Sequence, residues 1–248
     1  MTPIDLLNSP LLVLLLPIVA FLYASVGHGG ASGYLALMSI FTFSVTYMKP
    51  TALVLNIVVS GISFYFYYRE KQFDWKLLYP FVITSIPFSF LGGLLTIETH
   101  VYKVILATVL IFAVLRLLGI FGQQKATIRP IHFASALLIG ALIGFLSGLI
   151  GIGGGIILSP VLLLLGWATM KQTAAVSASF ILVNSVAALL GFIIKGESLP
   201  SSSFLVIGVV ALGGILGGYF GSKRFNTTTL RNILAIVLVI AIFKLYTI

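Results

Sequence analysis

The residues of this chain that could do chemistry gather around two runs of glycine set in apolar sequence. The first is Val26-Gly27-His28-Gly29-Gly30-Ala31-Ser32-Gly33 and the second Ile150-Gly151-Ile152-Gly153-Gly154-Gly155. Glycine pairs inside membrane-length apolar sequence interrupt a helix and free backbone groups that lipid cannot satisfy, so each break must line a protein-buried or wet cavity. A helix that opens just after such a break aims unpaired N–H groups and the positive end of its dipole into that cavity, which favours an anion. On this reading Gly27, His28, Gly29, Gly30 and Ser32 from the first break, and Gly151, Gly153, Gly154 and Gly155 from the second, are candidate ligands to a small anionic substrate. Ser177, Ser179, Asn56 and Asn184 lie within apolar segments and offer further neutral donors. An amide that deep needs a partner, which the substrate or the opposite half of the chain can supply.

Two readings stay open for His28. It can donate to an anion or change protonation during transport, or it can be a packed histidine satisfied by a backbone carbonyl. Lys49 and Lys171 are expected to attract an anion at the two entrances, the alternative being lysines that snorkel and cap their own helices. His100 and His132 stand at segment edges and read as interfacial, and no two histidines are spaced as metal ligands. Enzyme chemistry has little to work with: the chain has no cysteine, its five acids fall in gaps between apolar runs, and no Ser-His or Asp-His pair has a recognisable spacing. Neither a metal nor an organic cofactor is expected.

The elements that must position these residues are membrane segments. Hydrophobic residues make up 60% of the chain and charged ones 8%, with a mean hydropathy of +1.20, far more apolar than a soluble domain of this length. The net charge of +9 is therefore no nucleic-acid signature, since a basic patch needs a water-soluble face to sit on. Apolar runs bounded by charge, Pro or Gly fall near 11–26, 32–45, 51–68, 77–95, 102–120, 132–149, 156–168, 173–194, 204–222 and 231–247. The polar stretch at 122–131 divides a first repeat (1–121) from a second (132–248), five segments from five.

The halves match in register. Phe21 and Phe145 each stand six residues before the first glycine of their break, and a Met-Lys-x-Thr-Ala run follows each break at Met48 to Ala52 and Met170 to Ala174. If the two short segments around each break cross an even number of times, ten of the fourteen Lys and Arg share one face, a clear positive-inside asymmetry. An even count makes each half cross an odd number of times, so the second half is inverted and both termini face outward. The expectation is an all-α polytopic membrane protein of about ten hydrophobic segments in two inverted repeats, each with a glycine-broken pair of short helices. Gly140, Gly144, Gly148 and Gly213, Gly217, Gly221 form rows that permit close helix crossing and could also support a homodimer. Ser201-Ser202-Ser203 reads as a plain loop.

The stretch Gly148 to Pro160, followed by Lys171 and the run Thr173 to Ser179, resembles the signature of the TauE/SafE sulfite exporter family, also called the toluene-sulfonate uptake permease family. The resemblance spans essentially the whole chain and implies an inner-membrane carrier of sulfite or organosulfonate anions. The first half departs from the usual glycine triplet, with His28 before Gly29-Gly30 and Ala31 after them. Alternatives to be weighed are a carrier of a different small ion or solute and a non-transporting membrane scaffold. The lipid bilayer is the one macroscopic partner expected.

Overall fold

A computed structural model describes residues 10–119, 128–223, 238–239 and 242–243. Asp5, most of the 122–131 linker and all but four residues of the segment expected at 231–247 lie outside the described residues. Every regular element among the described residues is helical. In chain order they are α1 (Pro10–Ala24), α2 (Ala31–Ile40), α3 (Val45–Arg69), α4 (Trp75–Leu94), α5 (Thr99–Leu117), α6 (Phe133–Ile150), α7 (Gly155–Leu165), α8 (Met170–Ile194), α9 (Ser202–Leu205) and α10 (Ile207–Lys223).

Four of these, α3, α4, α6 and α8, are long and apolar enough to cross a membrane. At 1.5 Å per residue α3 and α8 run about 37 Å, more than the roughly 30 Å hydrocarbon core, whereas α2 and α7 reach only about 15 Å. Both short helices begin at glycines in the left-handed region, Gly30 with φ 99° and Gly154 with φ 76°. An L-residue there would be strained, so the backbone reversal that restarts each helix depends on glycine. The ends of α3 differ from the sequence expectation, which began that segment at residue 51. The helix starts at Val45 and contains Pro50, whose missing N–H falls close enough to the N-terminus to leave a single carbonyl, that of Thr46, without its intrahelical partner.

α3 and α8 pack against each other at the centre. α4 lies on α6 and α8, while α10 lies on α1 and α3. The glycine rows make both outer crossings possible. A Cβ at Gly140, Gly144 or Gly148 on α6 would strike the backbone of α4 at Phe81, Ser85 or Ser89, and one at Gly213, Gly217 or Gly221 on α10 would strike Pro17 or Phe21 of α1 or Ser25 just after it. Each contact steps four residues along both helices, as close ridge-to-backbone packing in lipid requires. Both rows thus join helices of one chain.

The charged loops sort to two ends. Asp74, Lys76, Arg129, Trp167 and Gln172 line one surface cavity, so the α3–α4 loop, the end of the linker and the α7–α8 loop share an end. Lys49, Thr96, Thr99 and Glu197 line another, which brings the starts of α3 and α5 together with the loop after α8. Ser203 corrects the plain-loop reading of 201–203: it is buried in the short helix α9 and its hydroxyl pairs with Thr51 Oγ1 at 2.9 Å. The segment expected at 204–222 is accordingly split at Val206 into α9 and α10.

Candidate functional site at the paired helix tips

Asn56 sits midway along α3 and is fully buried. Its Oδ1 accepts a hydrogen bond from Ala31 N, 3.1 Å away, in the first turn of α2, and its Nδ2 donates to Ser185 Oγ of α8 at 2.8 Å. The amide therefore bridges the tip of the first short helix to the second half of the chain. The second break closes on the same side chain: a Cβ on Gly153 would meet Asn56 Nδ2, Ile181 and Ser185, and a Cβ on Gly29 would meet Asn56 Oδ1. Two glycine breaks, 124 residues apart from Gly29 to Gly153, thus approach one amide, one at its Oδ1 and the other at its Nδ2. Only backbone without side chains can come that close.

Further ligands cluster one turn away. His28 is 2% exposed; its Nδ1 lies 2.9 Å from the Val26 carbonyl oxygen and its Nε2 3.0 Å from Ser159 Oγ of α7. A carbonyl oxygen only accepts, so Nδ1 carries the proton that faces Val26, while Nε2 faces the Ser159 hydroxyl. Ser159 Oγ also lies 2.7 Å from Ser177 Oγ of α8 and 2.9 Å from the carbonyl of Gly155. The His28 carbonyl accepts from Ser63 Oγ of α3 at 3.2 Å. The structure shows the packed arrangement of His28: a backbone carbonyl satisfies one ring nitrogen, and the other is turned across the interface onto a hydroxyl pair.

The remaining candidates are distributed more widely. Gly30 and Gly154 cap the short helices, and Gly155 lies where a Cβ would meet Ile181 and the Ser177 carbonyl. Gly27 packs on Ala174 and Gly151 on Lys49, so each break touches the Met-Lys-x-Thr-Ala run of the other half. Ser32 Oγ pairs with Tyr23 Oη at 2.7 Å, and Ser179 Oγ donates back along α8 to Val176 O at 2.9 Å. Asn184 Nδ2 is likewise turned onto its own helix, donating to Phe180 O at 2.8 Å, while its buried Oδ1 has no hydrogen-bond partner. Lys49 is 6% exposed and donates to the carbonyls of Gly92 and Leu95, whereas Lys171 is exposed at the opposite end. His100 and His132 are both exposed, and His132 caps α6 by accepting from Ser135 N at 3.3 Å. Among the described residues no three His, Cys, Asp or Glu side chains gather as metal ligands.

Sequence reasoning missed Ser159, Ser185 and Ser63. Each is a serine on an apolar helix, indistinguishable by pattern from a serine that merely lets helices pack.

The family model for the sulfite exporter TauE/SafE matches residues 12–245. The chain belongs to the TauE/SafE family. It is 38% identical over 234 residues to a "Probable membrane transporter protein" of Sinorhizobium fredii, an alignment covering 92% of this chain and 94% of that one. It is 30% identical over 199 residues to one of the same description from Methanocaldococcus jannaschii, covering 76% and 73%, and 26% identical over 253 residues to another from Bacillus subtilis, covering 92% and 95%. No solved structure matches the chain. As a TauE/SafE member with four apolar spans it is a multi-pass membrane protein, and the names of its family and relatives point to a transporter rather than an enzyme.

Proposed function

We propose that this TauE/SafE protein is a secondary transporter of sulfite or organosulfonate anions in the inner membrane, with the substrate held between the tips of α2 and α7. The observation that carries the proposal is the closure of both glycine breaks on Asn56. Asn56 Oδ1 takes the place of a substrate oxygen: it is a neutral acceptor resting on the N-terminal amide of α2, where the helix dipole and the unpaired N–H groups favour negative charge. At the tip of α7 the amides of Gly155 and Ile156 have no acceptor within their own helix, and Ser177 and Ser159 stand beside them. Swinging Asn56 aside would present donors from both halves to one anion. No carboxylate among the described residues is buried, which suits an anion and offers a cation no counter-charge.

The two halves are proposed to be inverted repeats that rock about this point, so that the tips open to each side in turn. The placement of Lys49 at one end and Lys171 at the other fits two entrances. By the positive-inside distribution, the end carrying Lys171 faces the cytoplasm and both termini face outward. Export of a negative charge from a cell with a negative interior is favourable by about 2.3 kcal/mol per 100 mV, so export needs no coupling ion, whereas uptake does.

Counterflow in proteoliposomes tests the reading. Preloaded sulfite, sulfoacetate or taurine should drive accumulation of its radiolabelled form, with and without an imposed pH gradient. Absence of exchange for every anion would favour a scaffold, and sodium-dependent cation uptake would favour a different carrier.

A further inference from the structure

We infer that the chamber around Lys49 is a second anion site, an antechamber that takes a small oxyanion bearing a short apolar tail. The inference rests on the proposed transport of anions and adds a site separate from the helix tips. Lys49 lies in the first turns of α3, where the helix dipole opposes a cation, and it is 6% exposed. Its ammonium reaches only two carbonyls, Gly92 O and Leu95 O, both at 3.4 Å. Charge-assisted hydrogen bonds from nitrogen close to about 2.7–2.9 Å, so neither contact is a tight one. The ion pair nearest in the fold, Lys195 with Glu197 at 3.4 Å, is neutral in itself and exposed. Lys49 is thus a buried cation in no ion pair of its own among the described residues: Glu197 borders the same cavity but is taken up by Lys195, so the three charges leave one net positive, which is costly unless an anion compensates it.

The space for that anion is present. Lys49 borders a cavity of about 120 Å³, room for several waters or one small organic anion. Thr46, Thr96 and Thr99 line it with hydroxyls, Leu149 and Phe192 give it apolar walls, and the Glu197 carboxylate, paired with Lys195, stands at its border. The ammonium and hydroxyls suit an oxyanion head, and the apolar walls suit one or two methylene groups. On its other flank Lys49 packs against Gly151 of the second break.

The test measures binding to the purified full chain by isothermal titration with ethanesulfonate, using sulfate as the tailless comparison. The wild-type chain should bind ethanesulfonate more tightly than sulfate. K49Q should weaken ethanesulfonate binding at least tenfold, K49R less than threefold, and T99V severalfold; T99V at a cavity edge keeps the test open if K49Q fails to fold. N56D, which supplies its own carboxylate to the helix tips, should abolish counterflow and any ethanesulfonate binding at the tips, while the Lys49-dependent binding component remains. Unchanged binding in both K49Q and T99V, or no binding to the wild-type chain, overturns the antechamber. Counterflow that persists alongside such a result leaves the transport proposal standing, whereas Lys49-dependent binding without any counterflow removes transport and keeps the site.

Discussion

The two glycine breaks share a plan and differ in what holds them. The first carries two left-handed glycines, Gly27 and Gly30, and between them a histidine bonded to the second half through Ser159. The second carries three, Gly151, Gly153 and Gly154, with no titratable group. One loop is tied by a side chain; the other is defined by the side chains it lacks. The difference teaches that an equivalent substitution in the two breaks should fail for different reasons, by strain in the second and by a lost cross-link in the first.

The largest effect is expected at Gly153. Alanine there would adopt a φ of 73° and drive a methyl into Asn56, Ile181 and Ser185 together. A left-handed non-glycine residue costs about 1–2 kcal/mol and forced overpacking a further 1–3 kcal/mol. G153A should lower the melting temperature in detergent by many degrees and abolish counterflow. G29A meets Asn56 as well but carries no positive φ, so it should be the milder of the two. Equal losses of stability in G29A and G153A would mean that backbone strain adds nothing and would erase the contrast between the breaks.

Next comes the asparagine pair, which the sequence presents as equivalents and the fold does not. Asn56 joins the α2 tip to α8, while Asn184 turns its amide onto its own helix. N56A leaves the Ala31 N–H and the Ser185 hydroxyl without their buried partner, a cost of about 1–3 kcal/mol, and should reduce transport at least tenfold. N184A should reduce transport less, because a single intrahelical bond is lost. If N184A proves the more damaging in counterflow, the substrate lies nearer Asn184 and the tip assignment shifts along α8.

The cross-link of the first break is tested by H28A, which should slow exchange severalfold and cost about 1–2 kcal/mol through the lost contact with Ser159. S159A should reproduce part of the effect without touching the break itself. Wild-type exchange in both would show that the link is a packing feature only.

What could be read in advance follows from how locally each feature is encoded. Glycine runs, short segments after them and matched Met-Lys-x-Thr-Ala runs announce themselves in the sequence, and Gly30 and Gly154 stand at the caps of the short helices. Helix ends near Pro were harder: Pro50 suggests a boundary, yet a proline in an early turn forfeits little, so α3 begins at Val45. The partners of His28 and Asn56 were illegible. Ser159 and Ser185 lie 131 and 129 residues away, and a serine on an apolar helix gives no sign of which neighbour it meets. The unequal roles of Asn56 and Asn184 are likewise a matter of rotamer and crossing angle, which no spacing encodes.

The smallest expected effect concerns the two lysines, matched in the repeats and opposite in burial. Lys171 is exposed next to the Thr169 capping box at the start of α8, so K171Q should leave stability unchanged. Its contribution to function is long-range attraction, which ions screen within about 8–10 Å at 0.1–0.15 M salt. Initial exchange rates of K171Q should fall below wild type by about twofold at low ionic strength and converge with it at high salt, while Lys49, shielded from bulk ions, should give a deficit in K49Q that salt does not erase. Alternating access adds a sharper condition. If the halves exchange conformations, a cysteine-reactive probe at position 171 should become protected in the state that exposes position 49, so reactivity of K49C and K171C should change in opposite directions when substrate is applied from either side. Parallel changes would mean that the two entrances open together, and the burial difference between the lysines would then be a fixed property of each half rather than a mark of the conformational state.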